Sequence, residues 1–406
     1  MKSMKRIVFL ALGYPDVRKS TILYTDLMQE FAKQGHEVLV VAPAIQKNDY
    51  GCRIEGNVNV LRVRTLPLFK VGPIKKGIAN MLLPFQYKKA IKKHSNKFDY
   101  DLIIMPTPPI TLVKVASWIK RKSEGKIYLI LRDIFPQNAV DLRMMKENGF
   151  LHRFFRKQEH LLYKVSDAIG CMSEANVSYV QEHNPEVPPE KLHLLPNWEK
   201  IPESLSEIEK SEVVEKYDLN NKFVAIFGGN LGRPQKLENI VELAKNCTEY
   251  KDILFLILGS GTEEGKLRGL ISKFDLSNML LINRLPKKEY IQVLAAADVG
   301  LISLSEDFTI PNFPSKVLTY FGLKKPVLAS LDLSTDFGQM LEKTKSGLWS
   351  EAGNTMDFKK NLEYLYNNQA ERELMGENGY EYMSSHLTPD IAYKTIIEKI
   401  NRNIEA

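Results

Sequence analysis

The stretch "VGLISLSEDFTIPNFPSKVLTYFGLKKPVLAS", Val299 to Ser330, sets two short apolar runs, VGLIS and PVLAS, on either side of a loop and a helical segment. Parallel strands need a crossover between them, usually helical, so the stretch reads as strand, loop, helix, strand. Pro311 and Pro314 keep the loop out of helical geometry until Ser315, which is placed as N-cap of "KVLTYFGL". Lys316 then falls in the first turn, where a cation opposes the helix dipole. Two explanations stand: a solvated side chain, or an anion such as a diphosphate held by the amides of Ser315 and Lys316 and by the ammonium group.

The same unit recurs along the chain. In the first half the expected strands are residues 6–12, 37–42, 58–64, 101–105, 127–131, 168–171 and 192–195. The second half restarts with 223–228, 253–258, 279–282, 299–303 and 326–330. Between the halves, "LLPNWEKIPESLSEIEKSEVVEKYDLNNK" is acidic, poor in large apolar residues and reads as linker. The expectation is an α/β protein of two doubly wound parallel-sheet domains facing a central cleft. Residues 1–200 would form the first, joined by a C-terminal helix over 388–406 with Thr388 as N-cap and Pro389 at its first position. Residues 201–387 would form the second. Ligands of such sheets bind at the loops beyond the carboxyl ends of the strands.

With 406 residues, 44% hydrophobic and 26% charged, the composition is that of a globular chain and excludes disordered, collagen-like and disulfide-scaffold classes. Cys52, Cys171 and Cys247 are scattered and odd in number, which suits a reducing compartment and gives no C-x-x-C site. The opening "MKSMKRIVFLALGYP" reads as a buried strand rather than a signal peptide, and no run reaches the roughly 20 apolar residues of a membrane span. The expected location is cytoplasmic.

Charge is concentrated. Between Gly56 and Phe98 there is no Asp or Glu, while Arg62, Arg64, Lys70, Lys75, Lys76, Lys88, Lys89, Lys92, Lys93 and Lys97 give +10 against +7 for the whole chain. Lys88 with Lys92, and Lys89 with Lys93, are like charges at i,i+4 on the helix expected after Pro84, so an anion should offset them. Ile78, Met81, Leu82, Leu83 and Phe85 beside the lysines suit an amphipathic segment on an acidic membrane surface, to which "LHRFFRK" (151–157) adds. The run holds no recognised nucleic-acid-binding motif, and a plain solvated face is the third reading. Lys75, Lys76, Lys88, Lys89, Lys92 and Lys93 are the expected membrane contacts, on the inner face of the cell membrane.

Glycines mark a second loop. In "FGGNLGRPQKLENIVELAK", Gly228, Gly229 and Gly232 allow tight turning and close approach, a helix beginning near Pro234 offers free amides, and Arg233 adds charge. The spacing matches neither a dinucleotide fingerprint nor a P-loop; packing alone is the competing explanation. In "LILRDIFPQNAV", Asp133 ends a strand beside Arg132, placed either as base or orienter for an acceptor hydroxyl or as an N-cap or salt bridge. Thr107 and Ser20 sit in loops at the same strand ends and are the acceptor-binding candidates. The Asp-x-Asp of "FDYDLII" opens a strand, away from the ligand edge, and the seven histidines show no metal spacing. No metal and no cofactor is expected.

The order "GGNLGRPQKLEN", "LGSGTEEGKL", "INRLPKKEYIQVLAAADVGLIS", "PSKVLTYFGLKKPVLAS" resembles the donor half of family-four retaining glycosyltransferases of the GT-B fold. "QEFAKQGHEVLVVAP", "LRDIFPQNAV", "SDAIGCMSEANVSYV" and "LLPNWEKIP" are similar to that family's first half, with the fucosamine transferases of O-antigen and capsule assembly as the nearest subgroup. The resemblance implies a UDP-sugar donor and a polyprenyl-diphosphate-linked sugar acceptor. It implies transfer of an amino sugar, N-acetyl-L-fucosamine being the subgroup's, with retained configuration. It also implies Arg284 and Leu285 beside uracil, although a surface arginine is the plain alternative for Arg284. The family's Arg and Lys in the first donor loop are replaced by Asn230 and Gln235, and its E-x7-E pair by Pro311 and Thr319. Phosphate charge then falls to Lys316 and Arg233, ribose to the Thr319 hydroxyl, and donor-sugar hydroxyls to Glu306 or Asp307. Gly229, Asn230 and Ser315 complete the expected donor site, and Asp133 with Lys316 the expected catalytic pair. A UDP-sugar 2-epimerase of similar fold and a non-catalytic nucleotide-sugar-binding protein are the alternatives.

Overall fold

The computed structural model describes residues 4–46, 49–68, 71–94, 99–203 and 207–405. It divides into two compact units, Met1–Glu199 with Pro389–Ala406, and Lys200–Thr388.

In the first unit, β1 (Arg6–Leu10), β2 (Glu37–Pro43), β3 (Gly51–Glu55), β4 (Val58–Val63), β5 (Leu102–Pro106), β6 (Lys126–Leu131), β7 (Ala168–Cys171) and β8 (Leu192–Leu194) form, among the described residues, one sheet ordered β3-β4-β2-β1-β5-β6-β7-β8. Only the β3–β4 pair is antiparallel. The central strands are continuous apolar runs because both faces are covered, as parallel sheets require. Alternate residues serve alternate faces. Val8 and Leu10 of β1 pack with the Pro73–His94 and Val113–Ser123 helices. Ile7 and Phe9 pack with the Leu23–Lys33 helix and with Ala392, Tyr393, Ile396, Ile397 and Ile400 of the Pro389–Glu405 helix. This terminal helix is thus part of the first unit's core, further pinned by His36 Nε2 and the Tyr393 hydroxyl at 2.9 Å.

In the second unit, β9 (Phe223–Asn230), β10 (Ile253–Ser260), β11 (Met279–Ile282), β12 (Val299–Ser303), β13 (Val327–Leu331) and β14 (Gly347–Glu351) form an all-parallel sheet ordered β11-β10-β9-β12-β13-β14.

Four expectations change. β3 ("GCRIE") and β14 ("GLWSE") were not anticipated, being short, half-polar edge strands with no apolar run. The acidic linker contains the helix Glu207–Lys216, whose Val213, with Val214, Tyr217 and Leu219, joins the core of the second unit. The basic helix begins at Pro73, before Pro84, and carries Pro84 inside it. Arg62, counted as surface charge, is fully buried: its guanidinium pairs with buried Glu55 across β3 and β4 and donates to the Tyr14 carbonyl.

Candidate functional site

Each sheet reverses its strand order at one point, between β9 and β12 in the second unit and between β1 and β5 in the first. Loops leaving the carboxyl ends of those strands diverge there and leave room for a ligand.

At the β9/β12 point the geometry is set by Tyr320, of the short helix Val317–Gly322. Its buried hydroxyl accepts from the Gly228 amide at 3.1 Å and lies 3.2 Å from the Ile226 carbonyl, while Gly300 leaves space for its ring. Lys316 caps this helix on the N-terminal side. Its ammonium sits 4.0 Å from the centroid of the Phe227 ring, and its Cε lies within 3.4 Å of where a Cβ on Gly229 would stand. Burial pulls its pKa down to about 7. Among the described residues no carboxylate pairs with it, so a half-buried cation is held against an aromatic face with only a cation–π contact.

Ser315, expected to cap, is exposed and accepts no capping hydrogen bond; Lys316 holds the N-cap position, and the helix is six residues long. Free amides of a full helix are therefore not what the site offers. The glycine loop also differs. Gly228, Gly229 and Asn230 belong to β9, paired with Leu258, Gly259 and Ser260. Gly228 is bare because Tyr290 fills the space, whereas Gly229, at φ +131°, is the one that faces Lys316. Arg233 opens a single 3-10 turn, Arg233–Gln235, ahead of the helix Glu238–Lys245; it is exposed, 3.9 Å from Glu263. Asn230 is exposed at the end of β9.

Glu306 is not free. It forms an ion pair with Lys236, a residue that sequence reasoning passed over. Lys236 takes a left-handed backbone, φ +32° and ψ +65°. For a residue with a Cβ that conformation costs about 1–2 kcal/mol, and a partly exposed ion pair returns about 0–1 kcal/mol. The loops are also laced through backbone: the Ser303 hydroxyl donates to the Lys236 carbonyl, the Ser305 amide to the Pro234 carbonyl, and Asn239 Nδ2 to the Ser303 hydroxyl. Asp307 is exposed, Thr319 is buried within the helix, Arg284 is exposed in the loop after β11, and Leu285 is half-buried against the core.

In the first unit, Thr107 and Asp133 come together. The buried Thr107 hydroxyl accepts from the amides of Arg132 at 3.0 Å and Asp133 at 3.2 Å, so it shapes the turn that presents Asp133. The Asp133 carboxylate has no donor among the described residues, and burial raises its pKa against the lowering effect of Arg132. Ser20 is exposed beyond β1. Asp99 and Asp101 tie down β1, through the Arg6 guanidinium and amide respectively. No cluster of three metal-ligating side chains occurs among the described residues.

Lys75, Lys89, Lys92 and Lys93 are exposed on the Pro73–His94 helix, and Lys88 is half-buried. Lys70 and Lys97 lie outside the described residues, as does the side chain of Lys76. Lys88 and Lys92 lie 6.0 and 5.7 Å from the Trp118 ring centroid. Burial, then Arg121, Lys114 and Lys92, lowers the pKa of Lys88, so the positive cluster extends onto the Val113–Ser123 helix. Ile78, Met81, Leu82 and Phe85 form an exposed apolar stripe on one face of the Pro73–His94 helix, Phe85 being 67% exposed. Phe150 and Leu151 are exposed at the start of the helix Phe150–Val165, which touches the same 3-10 turn, Ile110–Leu112, as the basic helix. No helix of the described residues is long and apolar enough to cross a membrane.

Comparison with known proteins agrees with this architecture. Residues 22–198 match the model of Glycosyltransferase Family 4, and residues 209–382 that of Glycosyl transferases group 1. The chain is 24% identical over 278 residues to the probable glycosyltransferase WbjE of Pseudomonas aeruginosa, covering 68% of each. Among solved structures, Anabaena HepE in complex with UDP and glucose superposes with a TM-score of 0.73 at 14% identity, over 98% of this chain and 100% of that one. WaaG, a glycosyltransferase involved in lipopolysaccharide biosynthesis, superposes at 0.67 and 14% identity, over 96% and 98%. The fold is GT-B.

Proposed function

We propose that this chain, a glycosyltransferase built of family 4 and group 1 domains, moves an amino sugar from a UDP-sugar to a polyprenyl-diphosphate-linked sugar at an acidic membrane surface, in bacterial capsule or O-antigen synthesis, with retained configuration. The observation that carries the donor half is Lys316. A desolvated ammonium without a carboxylate partner among the described residues, at the β9/β12 reversal, is a site that an incoming diphosphate would complete. Stabilising the departing diphosphate is the main electrostatic task of such a transfer. The UDP bound by HepE supports the nucleotide; the sugar and the lipid acceptor rest on the order of sequence motifs. Asp133, whose carboxylate at the end of β6 has no hydrogen-bond donor among the described residues, orients or deprotonates the acceptor hydroxyl. The apolar stripe of the Pro73–His94 helix, ringed by Lys75, Lys89, Lys92 and Lys93, supports the membrane contact.

The test is incubation with a panel of UDP-sugars and lipid-diphosphate sugars, scoring UDP release and a heavier lipid product whose anomer is read by NMR. A heavier product made by wild type and lost by K316M and D133N is expected. UDP-sugar epimerised with no acceptor consumed, or no product from any donor that binds, would overturn the assignment.

A further inference from the structure

Phe227 and Gly229 stand two residues apart on β9, so both belong to one face of the strand. Lys316 uses both: its ammonium lies 4.0 Å from the centroid of the Phe227 ring, and its Cε and Nζ lie 3.4 and 3.9 Å from where a Cβ on Gly229 would stand. The ring cannot follow the amine. Phe227 is fully buried in the core that includes Ala225, Phe255 and Ile257, where close packing fixes a side chain. Packing alone would accept any large apolar residue at 227; it does not call for an ammonium on the ring. Lysine carries its charge on a flexible stem, and holding that stem in one place costs entropy that the attraction of a cation to a desolvated aromatic face offsets. A carboxylate in the ring's place would hold the ammonium equally well, but it would neutralise the charge and compete with an incoming anion. An aromatic face fixes the cation and leaves its charge, and the N–H groups turned away from the ring, available.

We propose that Phe227 is a positioning residue for the donor diphosphate: its ring holds the Lys316 ammonium in place without neutralising it, and the diphosphate closes on the other side, so that the cation ends between ring and anion. The assignment rests on the UDP-sugar reading of this site. It adds a residue that acts through Lys316 and touches no substrate.

Replacing Phe227 in the full chain by phenylalanine analogues with increasing ring fluorination weakens the π-face stepwise at nearly constant size, and calorimetric UDP affinity of the series in wild-type and K316M backgrounds provides the test. With Lys316 present, affinity should fall stepwise to a loss of roughly tenfold at the most fluorinated ring; in K316M it should stay constant to within about twofold. A residue that only packs would give the same result in both backgrounds. In the NMR spectrum of carbon-13-labelled lysine, with Lys316 assigned by K316M, the ring-current shift of its Hε protons should persist when UDP is added. Affinity that is flat across the series, or that falls equally in K316M, overturns the proposal. So does affinity that rises with fluorination, or a ring-current shift lost on binding, since either shows the ring competing with the nucleotide for the amine. A K316M protein that binds UDP as tightly as wild type, or a wild type that binds none, would instead remove the donor-site reading, and the proposal with it.

Discussion

With its pKa drawn to about 7 by desolvation, Lys316 is largely a neutral amine at pH 8.5 in the free protein. A bound diphosphate would restore the charge, so UDP binding should take up close to one proton at pH 8.5 and almost none at pH 6, where the amine is already protonated. Calorimetry in buffers of different ionisation enthalpy measures this, and K316M should abolish the uptake. The linkage to stability has a definite sign. Because the folded pKa lies below the unfolded one, the unfolded state binds more protons between about pH 7 and 10.5, and stability rises with pH across that window. K316M should therefore melt above wild type by a constant margin below pH 7, a margin that shrinks to nothing near pH 10.5. At this scale the sequence exposed Lys316 as an anomaly, a cation where the helix dipole disfavours one. It hid Phe227 and Lys236, whose roles depend on which ring lies under the amine and which loop reaches Glu306. Tyr320 was hidden for the same reason, since its hydroxyl meets backbone about 90 residues earlier in the chain.

Among elements, the antiparallel β3–β4 pair is held by a charge pair with no solvent access on either side. Breaking it alone, as in E55A, leaves a buried guanidinium uncompensated and should cost about 3–5 kcal/mol, whereas the double change E55L/R62M should cost much less. Urea unfolding of the three variants against wild type measures the difference. The terminal helix makes a second case. Ile396, fully buried against β-strand residues of the first unit, should cost about 2–5 kcal/mol as Ala. Hydrogen exchange should then lose protection in β1, β2 and the Leu23–Lys33 helix while the second unit is unchanged. Apolar runs and helical spacing made the central strands and this helix legible. The short edge strands and the helix in the acidic linker were not, because their few apolar residues gain meaning only once a neighbouring surface exists to cover them.

For the molecule as a whole, the apolar stripe and its cations should bind vesicles containing anionic lipid, with affinity that falls as salt screens the lysines. M81E/F85E should abolish sedimentation with such vesicles at low salt while leaving UDP affinity intact; binding unaffected by the double change would remove this helix from the membrane contact. Composition, strand spacing and the alternation of apolar runs with amphipathic segments determined by themselves that the chain builds two largely parallel α/β sheets and where their central strands lie. These are properties of local pattern: a buried parallel strand must be apolar on both faces, and its crossover must carry an apolar stripe. Only the tertiary structure decided that Arg62 is core rather than surface charge, that Thr107 shapes a turn, that Glu306 is paired, and that Lys316 rests on an aromatic ring. Each of those depends on a partner remote in sequence or on the three-dimensional path of a loop, and burial and pairing, which set the energy of a charge, are relations between residues that residue identity and spacing do not encode.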